Sequence, residues 1–223
     1  MIRDVWLPRK KAFHMLGIIH RDKANSRVIG GWLKKIRPDA VTLEFSPYGL
    51  MFRKTWGTLY RKKIESILTR MRHDGQTCNE EALSFLGAYI DLPAEYKAAS
   101  LYCRENNASL HLVDMDLFSY MNLKNIDELF SEDNIRNIAA TQGSPTSGNE
   151  RAMARLFFNS GIEMIPYTEE MRIRDGYMSR KIGTLLQNNK VERCITHITG
   201  WQHLKDPCNI FTPLHPVKVF AYD

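Results

Sequence analysis

Residues 12–45 hold three elements in a stretch too short for a long detour. Ala12 to Ile19 is an apolar run. Val28, Ile29, Trp32, Leu33 and Ile36 then recur at helical spacing, and Pro38 ends that helix. Ala40 to Phe45 is a second apolar run. Strand, helix, strand in so few residues is a βαβ unit, so the two strands run parallel. Neither strand alternates polar with apolar, as expected when both faces of a sheet are covered. Later runs at Ser109 to Val113, Arg193 to Ile198 and Val217 to Ala221 extend the set, the last as an edge strand. The expected fold is α/β: a mainly parallel central sheet of four to five strands flanked by helices, in one domain spanning residues 1–223.

Two helical stretches interrupt this pattern after the second strand. Trp56, Leu59, Tyr60, Ile64, Ile67, Leu68 and Met71 form one apolar stripe, stopped by Asp74-Gly75. Thr77 and Glu80 read as a capping box for a helix that buries Ala82, Phe85, Leu86 and Tyr89. The expectation is an inserted helical hairpin at about 53–90, serving as a lid, a side wall or a homo-oligomer interface. Pro93 opens a helix that ends at Asn106-Asn107, and 117–140 is a polar helical stretch. Residues 141–149 read as a turn-rich loop, with helices at about 150–159 and 169–189, the second capped by Thr168.

The formal charge is +6, and residues 53–72 alone hold seven basic residues against one acid. Basicity this local marks either an anion-binding surface or a solvated helix face. Nucleic-acid binding is disfavoured, because only Trp56 and Tyr60 interleave with the charges and the basic residues form no single stripe. No uncharged run reaches the length of a membrane span. The four cysteines show no C-x-x-C pair, so they are read as reduced thiols of a cytosolic protein. Metalloprotease H-E-x-x-H, G-x-S-x-G, P-loop and dinucleotide fingerprints are all absent.

Polar residues gather where the expected strands end. His20 follows the first strand in Gly17-Ile-Ile-His20, and Glu44 closes the second. Asp114 and Asp116 follow the third, and His203 follows the fourth in Gly200-Trp-Gln-His203. In parallel sheets, ligands sit outside the carboxyl ends of the strands, so these exits share one rim. A carboxylate at Glu44 requires a partner, and a metal, an arginine or a histidine can each supply it. Imidazole with carboxylate suits a divalent transition metal, and equally an acid/base pair without one. Asp114-x-Asp116 suits a cation or the cap of the next helix.

In this order the motifs resemble the TraB/TIKI/GumN group, within a wider superfamily that includes erythromycin esterase and ChaN-like haem-binding proteins. Gly17-x-x-His20, Pro38-Asp39-x-Val41-x-x-Glu44 with Arg53 after it, Glu95-x-x-Ala98-Ala99, Asp114-x-Asp116, Arg174-Asp175-x-x-Met178 and Gly200-x-x-His203-Leu204 carry the likeness. Met115 stands where the group usually has arginine. The resemblance implies a site lined by His20, Glu44, Arg174 and His203, with Arg53, Glu95, Asp114, Asp116 and Asp175 as ligand-binding residues. On that basis the first expectation is a metal-dependent hydrolase, such as a peptidase. His20, His203 and Glu44 would hold Mn, Co or Zn, Glu44 would serve catalysis, and Arg174 would stabilise an oxyanion. The alternative is a non-catalytic protein using the same pocket for a peptide, a small anionic ligand or haem.

Overall fold

A computed structural model describes residues 11–22, 24–76, 78–79, 83–140, 166–188 and 194–222. Its centre is a five-stranded sheet: β1 (Ala12–Ile18), β2 (Ala40–Leu43), β3 (Ser109–Leu112), β4 (Cys194–Gly200) and β5 (Val217–Phe220). All recorded pairings are parallel, in the order β3-β2-β4-β1-β5. The expected α/β class and parallel sheet are therefore present, with β5 at one edge.

The decisive feature is the place of β4. Late in the chain, it inserts between β1 and β2, pairing Ile18 with Gly200 on one side and Leu43 with Ile198 on the other. Every residue of β4 is buried. The first two strands are parallel but not neighbours. Three consecutive strands of the sheet, β2, β4 and β1, thus end side by side.

Helices cover both faces because successive strand residues point to opposite sides. On one face α1 (Asn25–Ile36) and α4 (Ala94–Asn106) bury Ile29, Leu33, Ala99 and Tyr102 against Leu16, Ile18, Val41 and Leu43. On the other, α8 (Glu169–Asn188) lays Met178 and Ile182 on Phe13, Met15, Ala40 and Ile195. Each such aliphatic side chain contributes about 1.5–3 kcal/mol when fully buried. Thr168 accepts the Met171 amide at 3.2 Å, as its capping position predicts.

A third core lies beyond the sheet. Helix α2 (Pro47–His73) packs with the short α3 (Gly87–Ile90), α5 (Asp116–Leu123), α6 (Ile126–Leu129) and α7 (Glu132–Ala140). Four features of this region depart from the sequence expectation. The helix starts at Pro47 rather than near 53. Ser46 caps it by accepting the Gly49 amide at 2.8 Å, and proline suits the first turn. Tyr60, Ile67, Leu68 and Met71 are buried, but Trp56 and Leu59 of the expected stripe are exposed. The second arm is a short 3-10 turn at Ser84–Leu86 running into α3, with Tyr89 only half-buried. The 117–140 stretch divides into three short helices. The Thr77–Glu80 capping box, the 141–149 loop and the 150–159 helix lie outside the described residues.

Candidate functional site

The two G-x-x-H segments interlock. β1 and β4 lie in register, so each glycine stands beside the other segment. A Cβ on Gly17 would come 2.5 Å from Leu204 Cδ1 and 3.0 Å from Trp201 Cα. A Cβ on Gly200 would come 2.9 Å from His20 Nε2. Each motif therefore needs its glycine to admit the other motif's side chains. Arg21, in the left-handed region at φ 66°, turns the chain away just after His20.

Glu44 is the hub. Its backbone amide extends the β2 pairing by donating to the Ile198 carbonyl at 3.0 Å. Its side chain is almost wholly buried. Oε1 accepts from Arg174 Nη2 at 2.7 Å and faces His203 Nε2 at 3.1 Å. Oε2 accepts from the Thr199 hydroxyl and the Gly200 amide, both at 2.7 Å. His20 Nε2 lies 3.7 Å from Oε2. Burial alone would push this carboxyl up; the charge of His203, the nearby His20 ring, the hydrogen bond of His203 and the charge of Arg174 outweigh it and hold Glu44 well below the usual carboxylate range.

Each partner is fixed by an acid of its own. Arg174, on α8, donates through Nε and Nη2 to Asp114 at 3.1 and 2.7 Å. Burial opposes its charge, but Glu44 and Asp114 raise its pKa. His203 Nδ1 is hydrogen-bonded to Asp175, whose other oxygen accepts from the Tyr167 hydroxyl at 2.5 Å. His203 thus faces a carboxylate at both ring nitrogens and is an imidazolium. Burial would lower it, yet Glu44 and Asp175 raise it to about 9. His20 Nδ1 meets Glu95, from the first turn of α4, at 3.1 Å. Against the effect of burial, Glu44 and Glu95 raise its pKa. The His20 side chain is 44% exposed, so water screens part of this effect and gives solutes access to the ring.

His20, Glu44, Glu95, Asp114, Arg174, Asp175 and His203 therefore form one connected network. Two expected ligand residues make no hydrogen bond to it among the described residues. Arg53 donates to the Gly49 carbonyl at 3.1 Å and the Ala88 carbonyl at 2.7 Å, fastening α2 to α3, and its guanidinium lies over Phe45. Asp116 accepts the Tyr48 amide at 2.7 Å, in the first turn of α2. Asp114 pairs with the Arg174 guanidinium, and Asp116, expected to cap the helix that follows it, instead satisfies an amide of the earlier helix α2, while the cap residue Met115 of α5 makes no side-chain cap hydrogen bond.

Sequence reasoning passed over Thr199, Tyr167 and His197. A threonine before a glycine and an isolated tyrosine carry no signal of their own. His197 was concealed inside a strand, although an imidazole amid isoleucines and threonines was visible there. It is fully buried, with Nδ1 3.0 Å from Thr42 Oγ1 and Nε2 without a hydrogen-bond partner among the described residues.

Two imidazoles and a carboxylate, with each imidazole backed by a second carboxylate, are the donor types of a divalent-metal centre. As arranged, they do not fit one. Glu44 already accepts four bonds, about as many as a carboxylate can take. Both nitrogens of His203 face acids, and among the described residues no group of three His, Cys, Asp or Glu side chains is placed to hold a metal ion. What the arrangement can do unaided is hold positive charge beside a buried anion and present one accessible imidazole. Compared with known proteins, the chain matches no family model, no curated protein and no solved structure.

Proposed function

We propose that the rim is a hydrolytic site of the TraB/TIKI/GumN type, acting on a peptide or small anionic substrate. One observation carries this reading: His20 is the most exposed member of the network, and its ring is oriented by Glu95 at one nitrogen and faces Glu44 with the other. Nε2 stands 3.7 Å from Glu44 Oε2, too far for a direct hydrogen bond, and on this exposed ring it is open to a water from the solvent side. Neutral His20 would take a proton from that water as it attacks, and Glu44 would stabilise the resulting imidazolium. Arg174 is one-fifth exposed and makes no bond through Nη1 among the described residues, and that group would meet the developing oxyanion. Because the neighbouring acids favour protonated His20, activity should rise with pH above neutrality.

The test is a panel of peptides and esters assayed with a chelator and with added Mn, Co or Zn. Turnover that falls by about a hundredfold or more in His20→Ala supports the reading. Rescue of chelated protein by one metal would mean that His20 and His203 shed their protons and rearrange around an ion.

A second reading is a binding protein without catalysis, taking an anionic ligand, a peptide or haem. It is favoured by Met115, which replaces the arginine of the resembled pattern, and by a network already satisfied without a ligand. No turnover of any substrate, together with anion binding that survives His20→Ala, would select it.

A further inference from the structure

The outer side of α2 breaks the rule that large apolar residues of a helix face a core. Met51, Trp56 and Leu59 are between 48% and 58% exposed, and so are Leu117, Tyr120 and Met121 on α5. The two helices adjoin. Tyr48 and Tyr120 stack edge to face at 5.8 Å, and Asp116 accepts the Tyr48 amide. Met51 lies one turn beyond Tyr48, so the α5 set continues onto α2 through Met51, and Trp56 and Leu59 carry exposed apolar side chains further along the same helix. Lys54, Lys62 and Lys63 interleave with it, all exposed. Arg61 and Arg70 are held by Asp91 and Glu132, whereas these three lysines enter no recorded ion pair among the described residues. Glu65 is the single acid of α2.

We propose that this α2–α5 face docks on an anionic lipid surface. Such surfaces select basic residues that are free to meet headgroups, aromatic rings at the interface and aliphatic side chains that enter the acyl boundary. A second copy is a poor occupant, because a two-fold contact would set the lysines against their own images. Nucleic acid fits less well. The arginines suited to phosphate forks are already paired, and Met51, Leu59, Leu117 and Met121 gain nothing from a sugar-phosphate chain. The attachment lies on the surface: among the described residues no helix is long and apolar enough to cross a membrane. Ser46 caps α2 two residues after Glu44, so the helix that carries this face starts at the rim.

The full chain is mixed with vesicles of phosphatidylcholine alone, or with about one-third phosphatidylserine, and sedimented over a range of salt. The expected result is binding to the anionic vesicles only, weakening as salt rises, with a blue shift of tryptophan emission that Trp56→Phe removes. Charge reversal in Lys62→Glu/Lys63→Glu should lower partitioning by at least about tenfold, and Trp56→Ala/Leu59→Ala by several-fold. All four positions are exposed, and circular dichroism confirms that the variants fold. No binding to anionic vesicles at low salt overturns the proposal, as does binding unchanged in both variants. Tighter binding to a single-stranded oligonucleotide, or a dimer that Trp56→Ala dissolves, assigns the face to another partner and overturns it too.

Discussion

The middle and the end of β4 treat the same side chain in opposite ways. His197 in the strand and His203 just beyond it are both buried. Burial pushes His197 down to about 4, and its polar neighbour is the hydroxyl of Thr42. Burial acts in the same direction on His203, yet that ring rises to about 9. Carboxylates make the difference. A central strand flanked by two others offers a side chain mainly the sheet-covering helices and neighbouring strand residues. At the strand end the chain is free to bring in Glu44 from β2 and Asp175 from α8. Depth alone therefore predicts a neutral imidazole, and only the rim can hold a charged one.

The severest way to break this contrast is Glu44→Ala. It removes the anion between His203 and Arg174 and strips the acceptor from Thr199 and Gly200. Losing one partner of a buried charge network costs about 3–5 kcal/mol, read as a lower denaturation midpoint. Stability equal to the parent would mean that the network is not what holds the rim. Glu44→Gln, which keeps the shape, should cost less than alanine.

How much of this was visible beforehand follows from what a single chain can encode. Parallel strands buried on both faces must be apolar runs, so the strands and their polar exits were legible. The partners at the exits were not, since they depend on strand order. Nothing local to Cys194–Gly200 says that it enters between β1 and β2. The contacts His203–Asp175 and His20–Glu95 join residues 28 and 75 apart. Helical spacing showed that α2 has an apolar stripe, but spacing could not show that Trp56 and Leu59 lie at its uncovered margin. The Ser46-Pro47 start of α2 was legible in the sequence, but the stripe drew attention to later residues.

The pH profile of stability sharpens the same comparison. His197 is depressed, so the unfolded chain takes up its proton near 6.5 while the folded chain does not until about 4. Its contribution is lost as pH falls through that window. His203 is raised, so its contribution is full below about 6.5 and is lost as pH climbs through about 9. Stability should fall on both sides of neutrality, with Glu44 adding to the acid limb below the usual carboxylate range. Replacing His197 by Leu should flatten the acid limb between 6.5 and 4, by an amount on the order of 2–3 kcal/mol, and leave the alkaline limb unchanged. If His197→Leu altered the alkaline limb instead, the assignment of the two limbs would be reversed.

Asp175→Asn tests the rim half by itself. The amide can still accept a hydrogen bond from His203 but brings no charge. The expected loss is about 1.5–3 kcal/mol near neutral pH. In a proton NMR titration the His203 midpoint should move from about 9 toward the ordinary imidazole range. A midpoint that stays put would leave Glu44 as the sole source of the shift.

The smallest effect separates packing from chemistry. Gly17→Ala and Gly200→Ala each add one methyl to one of the two interlocked motifs. At Gly17 the new carbon would strike Leu204 and come 3.0 Å from the Trp201 backbone, both buried, so about 1–3 kcal/mol should be lost. At Gly200 the first obstacle is the His20 ring, with Glu44 Oε2 at 3.6 Å behind it. That ring is partly in water and can swing aside, so stability should change by less than about 1 kcal/mol. Swinging aside takes Nε2 away from Glu44, and with it the charge that would stabilise a protonated ring. Gly200→Ala should therefore leave thermal unfolding almost untouched while lowering any His20-dependent turnover by about tenfold or more. A variant that loses stability and activity together would show that His20 is held by packing as rigid as that of Leu204. A variant that loses neither would show that the position of the ring beside Glu44 does not matter to what the rim does.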